Sequence, residues 1–501
     1  MEIIIRPWLK TDLEDLRRIT WLSWLSAYSS FIPETDLKAY FDIYYERGAF
    51  SALFIDPSAH GCIAEVGGRA VGYARTHFNR KEKRLYLTAF YLLPDVQGRG
   101  IGKRLMKAVE EHAAERHVGE ILVGVMVQNG RALRFYEKAG FQFTREEPFT
   151  MGKTTVSHFV GYKRTGSRQR TPAEGRKILA AFEGGPNERS LTDLCLDLLS
   201  GQKRQWDDLR EGYEQLKTVK DREVPCGGYT VHLQFNPARI KSSTAVLNAE
   251  AIRNRPCFLC VENLPGPQAG VLYREAFLIL CNPMPVFHFH FTISHIDHRA
   301  QLIDPNIRTL LRLAADFGPA WAILYNGAGC GASAPDHLHL QAGPSKTMSI
   351  GPEIEEEKRR VLMKESDGVT LHRAIKLGRE VLVLEGDDPE RMADAFRGLT
   401  ASLRKTLAIA EEPMLNIAAF LKGGRWRLLI FPRRKHRPDA FFREGADRVV
   451  VSPGIIDMAG TVITPVEKDF QRLDAAAVEN IYREVSLDEK AVIKAIEAMA
   501  W

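Results

Sequence analysis

Over the first 160 residues, short β-branched and aromatic runs alternate with stretches whose apolar residues recur every three or four positions. That is the texture of an α/β unit. The run at 85–94 (LYLTAFYLLP) predicts a strand, and Ile101, Leu105, Met106, Val109 and Ala113 predict a helix directly behind it. A further strand is expected at 120–127 (EILVGVMV). Residues 164–176 (RTGSRQRTPAEGR) are polar, basic and nearly free of apolar positions, as a linker would be. The chain is therefore expected to hold a domain at 1–165, a linker at 166–176 and a second region at 177–501.

In the second region, Ile178, Leu179, Phe182, Leu191, Leu194 and Leu198 predict helix over 176–222. From Tyr229 short strands take over, such as YTVHLQF, FLILCNPMPVF and WAILYNG, broken by Gly, Pro and Asn. Helices are expected at 305–316 and about 354–412, giving an α+β region. A strand pair at 415–431 turns at Gly-Gly, which suggests two halves of similar build.

Composition adds bounds rather than a function. At 501 residues the chain exceeds a single core, and 45% hydrophobic with 26% charged residues is an ordinary globular balance. The surplus of 69 Lys+Arg over 63 Asp+Glu is diffuse and argues for no nucleic-acid partner. No apolar run reaches membrane-spanning length, and the first residues do not read as a signal peptide, so a cytoplasmic protein without a membrane partner is expected. Seven sparse cysteines argue against a disulfide framework. Only Cys257 and Cys260 have an informative spacing.

The first strand runs into Gln97-Gly98-Arg99-Gly100-Ile101-Gly102-Lys103, so the glycines fall where the N–H groups of a helix N-terminus are free. Such a turn binds a pyrophosphate, and Arg99 and Lys103 add positive charge beside it. After the next strand come Asn129, Ala132, Phe135, Tyr136, Lys138, Gly140 and Phe141. The order strand, Q-x-x-G-x-G, helix, strand, N-x-x-A-x-x-F-Y-x-K-x-G-F resembles the GNAT N-acetyltransferase superfamily over about residues 1–165. The resemblance implies a mixed, mainly antiparallel sheet flanked by helices, and acetyl-CoA as cofactor. It places the pyrophosphate on the Gln97–Gly102 loop, the pantetheine arm on the backbone of Tyr91, Leu92 and Leu93, and Asn129 beside it. Tyr136 becomes the general acid for the departing thiolate, with packing against Phe135 as its plainer role. The base is not identifiable, Glu65 being a guess, and the aromatic insert at 20–50 either selects a small-molecule amine or fills the core.

The densest polar cluster of the second region is 326–341 (NGAGCGASAPDHLHLQ). On a strand, His337, His339 and Gln341 share one face behind a Gly-rich loop. A neutral imidazole there can attack an α-phosphorus and hold a nucleotidyl group, while Gln341 donates to a phosphoryl oxygen. The H-x-H-x-Q run resembles the transferase branch of the histidine-triad superfamily: galactose-1-phosphate uridylyltransferase, diadenosine tetraphosphate phosphorylase and the GDP-hexose phosphorylases. Leu338 stands between the histidines where that family carries Pro.

The resemblance implies His339 as nucleophile, Gln341 as its phosphate partner, and a nucleotide or sugar-nucleotide substrate. Arg239, Lys241 and Ser333 would contact substrate phosphate, with an exposed basic edge as the alternative for the first two. It also implies a tetrahedral structural zinc on Cys257, Cys260, His337 and one of the histidines at 288–298, where position favours His298; a lone C-x-x-C also suits two buried thiols. The expectation is a bifunctional enzyme joining N-acyl transfer to nucleotidyl transfer through a His339–nucleotide intermediate. Its rivals are a non-catalytic nucleotide-binding module that regulates the acetyltransferase, or a first half that senses acetyl-CoA without transferring it.

Overall fold

A computed structural model describes residues 3–80, 82, 84–116, 118–164, 172–185, 188–245 and 249–499. The chain divides into two compact units, Met1–Gln169 and Arg170–Trp501. None of the described helices is long and apolar enough to cross a membrane.

The first unit is a seven-stranded sheet: β1 (Ile3–Pro7), β2 (Ala59–Val66), β3 (Arg69–Asn79), β4 (Arg84–Leu92), β5 (Glu120–Met126), β6 (Gln142–Met151) and β7 (Thr154–Arg164). The order is β1-β2-β3-β4-β5-β7-β6, with only β4 and β5 parallel. Helices Leu13–Tyr28, Glu34–Tyr44, Arg47–Ala52, Ile101–Glu115 and Gly130–Lys138 flank it. The apolar stripe read at Ile101, Leu105, Met106, Val109 and Ala113 is the face of Ile101–Glu115 buried in the core.

Of the expected linker, 166–171 fall outside the described residues, while Pro172–Lys177 form a short helix. The expected helix over 176–222 is corrected at its start: Ile178–Phe182 is a strand, β8. Its inner and outer residues alternate, and it adds parallel to the sheet edge at Gly270–Tyr273. A period of two hid inside a sequence that also fits a helical interval. Helices Leu191–Gln205 and Asp207–Leu216 then follow.

Strands β9 (Lys220–Pro225) and β10 (Thr230–Phe235) belong to a small sheet completed by β21 (Thr461–Thr464). The others are β11 (Gly270–Tyr273), β12 (Phe277–Cys281), β13 (Phe291–His295), β14 (Trp321–Asn326), β15 (His339–Pro344), β16 (Arg360–Ser366), β17 (Val369–Ala374), β18 (Val381–Gly386), β19 (Leu415–Lys422) and β20 (Arg425–Pro432). With β8 they form one eleven-stranded sheet, ordered β16-β17-β18-β20-β19-β14-β15-β13-β12-β11-β8. The helix expected across 354–412 is thus corrected to three strands and the helix Pro389–Leu407. The turn Asp367-Gly368 closes a hairpin, and its dipeptide is the sequence signal that identifies it.

Two halves of identical build meet at the middle of this sheet. Each runs three strands, one helix (Ile307–Phe317 or Pro389–Leu407) and two strands, and each inserts its last strand before its fourth. They join through antiparallel β14 and β19. Alternation sorts the faces: Ile323, Tyr325, Ile417, Leu382 and Leu384 pack under the helices, while Leu324, Ala418, Val381 and Val383 pack on the other side. Leu338, Leu340 and Ala342 lie under the helices, which turns His339 and Gln341 to the opposite face.

Phe396, on Pro389–Leu407, is fully buried in this core. Phe396→Ala is expected to destabilise the second unit by about 3–5 kcal/mol, read as a lowered urea midpoint. Phe442→Ala, at a 69% exposed position, should change stability by no more than about 0.5 kcal/mol.

Candidate functional site

In the first unit, β4 and β5 pair only from Arg84–Leu87 against Glu120–Val123. Beyond that the parallel strands separate. The chain leaves β4 through Pro94–Val96 and reaches Gly98 (φ +80°) and Gly100 (φ +81°) before the helix Ile101–Glu115. Both glycines occupy the left-handed region, which a Cβ would strain, and space around each is open. Gly102 has a different reason. A Cβ there would come within 3.0 Å of the Phe135 ring, so it permits close approach of two helices.

Arg99 and Lys103 are exposed beside this turn. Gln97 points back: its Nε2 donates to the Leu92 carbonyl at 2.9 Å, which also accepts from Ser23. The Leu93 N–H donates to Val71. Gln97 therefore braces the loop against the end of β4, and the Leu92 carbonyl and Leu93 N–H already have partners. Tyr91 packs against Trp24 and Tyr73.

Asn129 caps the helix Gly130–Lys138 by accepting from Ala132 N–H at 3.1 Å. It also bonds to the Tyr28 phenol, which burial pushes up to about 12. Tyr136, on the same helix, is 6% exposed and packs with Phe90, Phe135 and Phe141. Burial holds its phenol well above the ordinary tyrosine range, so it keeps its proton. Glu65 is ion-paired to Arg6 and does not line the cavity described next.

That cavity, of ≈ 590 Å³, opens between the separated strands and the aromatic insert. The insert contributes to both the core and the cavity wall. Trp24 and Phe41 belong to the core, and Tyr28, Tyr40, Tyr44 and Tyr45 line the cavity.

In the second unit, His339 and Gln341 line a cavity of ≈ 310 Å³ together with Arg239, Ser333, Asn326 and Asp457. His339 Nδ1 faces the His337 carbonyl oxygen at 2.8 Å. An oxygen acceptor fixes the ring hydrogen on Nδ1, leaving the lone pair on Nε2. Burial lowers the basicity of His339, so the ring is neutral. Its backbone is held on both sides by Gln301, which accepts its N–H at 2.8 Å and donates to its carbonyl at 3.0 Å.

Gln341 is oriented by His290, which the sequence offered only as one of several candidate metal ligands. Val286 N–H donates to His290 Nδ1 at 3.2 Å, so His290 Nε2 carries the hydrogen and donates to Gln341 Oε1 at 2.8 Å. The amide NH₂ of Gln341 is what remains for a ligand. Burial also pushes the Asp457 carboxyl up to about 6, against the pull of Arg239. Gln301 and Asp457 had no sequence signal, being single polar residues, one in a loop and the other in the short helix Ile455–Met458.

Two expectations are corrected. His337 does not share the face of His339 and Gln341: it precedes β15, in a turn where its N–H bonds to Ala334, and its ring turns away. Lys241 is exposed and does not line the cavity, because the short helix Ile240–Ser243 carries it outward while Arg239 stays at the wall.

His337 instead meets Cys257, Cys260 and His298. Their ligand atoms all lie within 4.8 Å of one another. His337 Nε2 donates to the His295 carbonyl at 2.7 Å and His298 Nε2 lies 3.4 Å from Asp336, which turns both Nδ1 atoms toward the sulfurs. Cys257 Sγ is 3.3 Å from His337 Nδ1, and Cys260 Sγ is 3.2 Å from His298 Nδ1. Two thiols and two imidazoles with outer partners are a donor set that suits a tetrahedral metal.

Arg433 and Arg437, in the basic run at 431–438, are structural. Arg433 is 2% exposed and donates to Asn416 and to backbone carbonyls, and Arg437 donates to Ser452 and to the carbonyls of Ser243 and Ala245.

Comparison with known proteins agrees with the first unit. The acetyltransferase (GNAT) family matches residues 14–141. An uncharacterized N-acetyltransferase of Mycobacterium tuberculosis is 28% identical over 150 residues, 30% of this chain and 96% of the relative. One from Archaeoglobus fulgidus is 32% identical over 136 residues, 25% of this chain and 84% of the relative. The crystal structure of the PaiA N-acetyltransferase of Thermoplasma acidophilum in complex with coenzyme A is 21% identical and covers 33% of this chain and 99% of its own, with a TM-score of 0.29. The first unit is an acetyltransferase. Through it the chain belongs to the GNAT family. A domain family of unknown function, DUF4922, matches residues 198–344, a span that includes Cys257, Cys260, His337, His339 and Gln341.

Proposed function

We propose that the first unit transfers an acetyl group from acetyl-CoA to the amine of a small molecule held in the aromatic cavity. The observation that carries this reading is the left-handed turn at Gly98 and Gly100, set at the end of a strand pair that separates beside the cavity. The diphosphate would lie on the free N–H groups of that turn, with Arg99 and Lys103 alongside. The neutral amine nitrogen attacks the thioester carbonyl carbon, the C–S bond breaks, the sulfur leaves as thiolate, and the acylated nitrogen gives up its extra proton to solvent. Tyr136 then supplies a proton to the sulfur from its protonated phenol and regains one from solvent.

Tyr136→Phe is expected to lower kcat by roughly 100-fold with acetyl-CoA affinity unchanged, measured by thiol release at saturating acetyl-CoA and by calorimetry. An unchanged kcat would reduce Tyr136 to a packing residue.

A second activity is favoured by one observation in the other unit: His339 is neutral, with its hydrogen fixed on Nδ1, at the wall of a cavity that also presents the Gln341 amide and Arg239. In our reading, His339 Nε2 attacks the α-phosphorus of a nucleotide or sugar nucleotide and displaces the leaving group from it. Phosphate or a sugar phosphate then takes the nucleotidyl group off the ring. Gln341 donates to the phosphoryl oxygen as charge builds there, and Arg239 and Ser333 face the phosphates. Zinc on Cys257, Cys260, His298 and His337 would be structural, fixing the residue whose carbonyl sets the His339 tautomer.

Intact-protein mass after incubation with sugar nucleotides and dinucleoside polyphosphates is expected to rise by one nucleotidyl group, with no rise in His339→Ala. No rise with any donor would leave a nucleotide-binding module that regulates the acetyltransferase. Plasma mass spectrometry should find about one zinc per chain, and the Cys257→Ser, Cys260→Ser double variant should lose it.

A further inference from the structure

The aromatic cavity of the first unit has an unusual charge inventory. Among the described residues that line it none is acidic, and the one guanidinium is that of Arg75, on β3. Arg75 lies over the rings of Tyr45 and Phe50, at 5.7 and 5.6 Å, and its Nε donates to Thr88 Oγ1 at 2.9 Å. The guanidinium is thereby immobilised with no carboxylate against it, and its two NH₂ groups are left for an anion. A half-buried cation held in this way matches a carboxylate in two parallel hydrogen bonds.

The opposite wall is chemically different. Tyr28, Tyr40 and Tyr44 present π faces and phenols, which suit an ammonium or an aromatic ring. His158 lines the same space from β7, and its buried Nδ1 has no hydrogen-bond partner. Burial lowers the basicity of that ring, so it adds no fixed positive charge to the lining. A polycation would meet Arg75 with no counter-charge to hold it.

We propose that the acceptor is a single molecule carrying a primary amine, a carboxylate and an aromatic or large apolar body, with its carboxylate seated on Arg75. The class is that of an aromatic or large apolar amino acid, and polyamines are excluded. This rests on acetyl transfer by the first unit.

The test uses the full chain, acetyl-CoA, and a panel of phenylalanine, tryptophan, their carboxylate-free counterparts phenethylamine and tryptamine, and spermidine, with thiol release and product mass as readouts. The parent is expected to prefer the carboxylated member of each pair by about 10- to 100-fold in kcat/KM, carried mostly by KM. R75Q should bring that ratio close to one, while R75K, which keeps the charge and loses the fork, should retain part of it. Equal or better turnover of the carboxylate-free amines or of spermidine by the parent would overturn the inference and leave acetyl transfer standing. So would a preference that survives in R75Q, or binding of acetyl-CoA without acetylation of any panel member. Failure to bind acetyl-CoA would instead overturn the acetyl-transfer reading itself.

Discussion

The second unit depends on one seam, the antiparallel pairing of β14 with β19. At its end Asn326 stands opposite Asn416, and the two side chains bond at 2.8 Å. Asn416 also holds the Cys330 carbonyl at 2.7 Å, while Asn326 Oδ1 accepts from Ile455 N–H at 2.7 Å. Arg433, buried behind them, donates to Asn416. A buried polar network of this kind is stable only when its members are satisfied, and here they hold the Gly-rich loop and the 453–457 loop together. Gly331 (φ +107°) touches Gly454 so closely that a Cβ would come within 2.8 Å of its Cα. The same contacts that join the halves therefore shape the wall around His339.

The first unit reaches its site by a simpler constraint. Parallel strands that pair over four residues and then part leave backbone groups and a wedge of space, and the chain turns out of β4 there through two left-handed glycines. Cavity and turn are thus products of one local departure from sheet regularity. Residues close to it do structural work: Gln97 braces β4, and Asn129 caps a helix.

Much of this was legible in the sequence because the signals were local. The Gln97–Gly102 turn, the helix at Ile101 and the strands at 230–235, 277–281 and 321–326 follow from spacing or motif, while the grouping of Cys257, Cys260, His298 and His337 was implied by a family resemblance alone. What escaped depended on partners far away in the chain. Ile178–Phe182 is a strand because β11 receives it, and the segment after 354 is β-sheet because β20 and β18 pair. His290 matters through Gln341, 51 residues on, and no spacing rule connects them. Arg433 and Arg437 turn to carbonyls in distant loops, which no local pattern could show.

The two halves of the large sheet also differ at one informative place. Between β14 and β15 the chain makes the long loop that carries Cys330, Ser333 and His337, whereas β19 and β20 are joined by Gly423 and Gly424 alone. A two-residue turn has no length with which to build a second pocket wall. The duplicated scaffold therefore carries its long loop in one half only, and the tight turn of the other half leaves β19 and β20 to brace the seam.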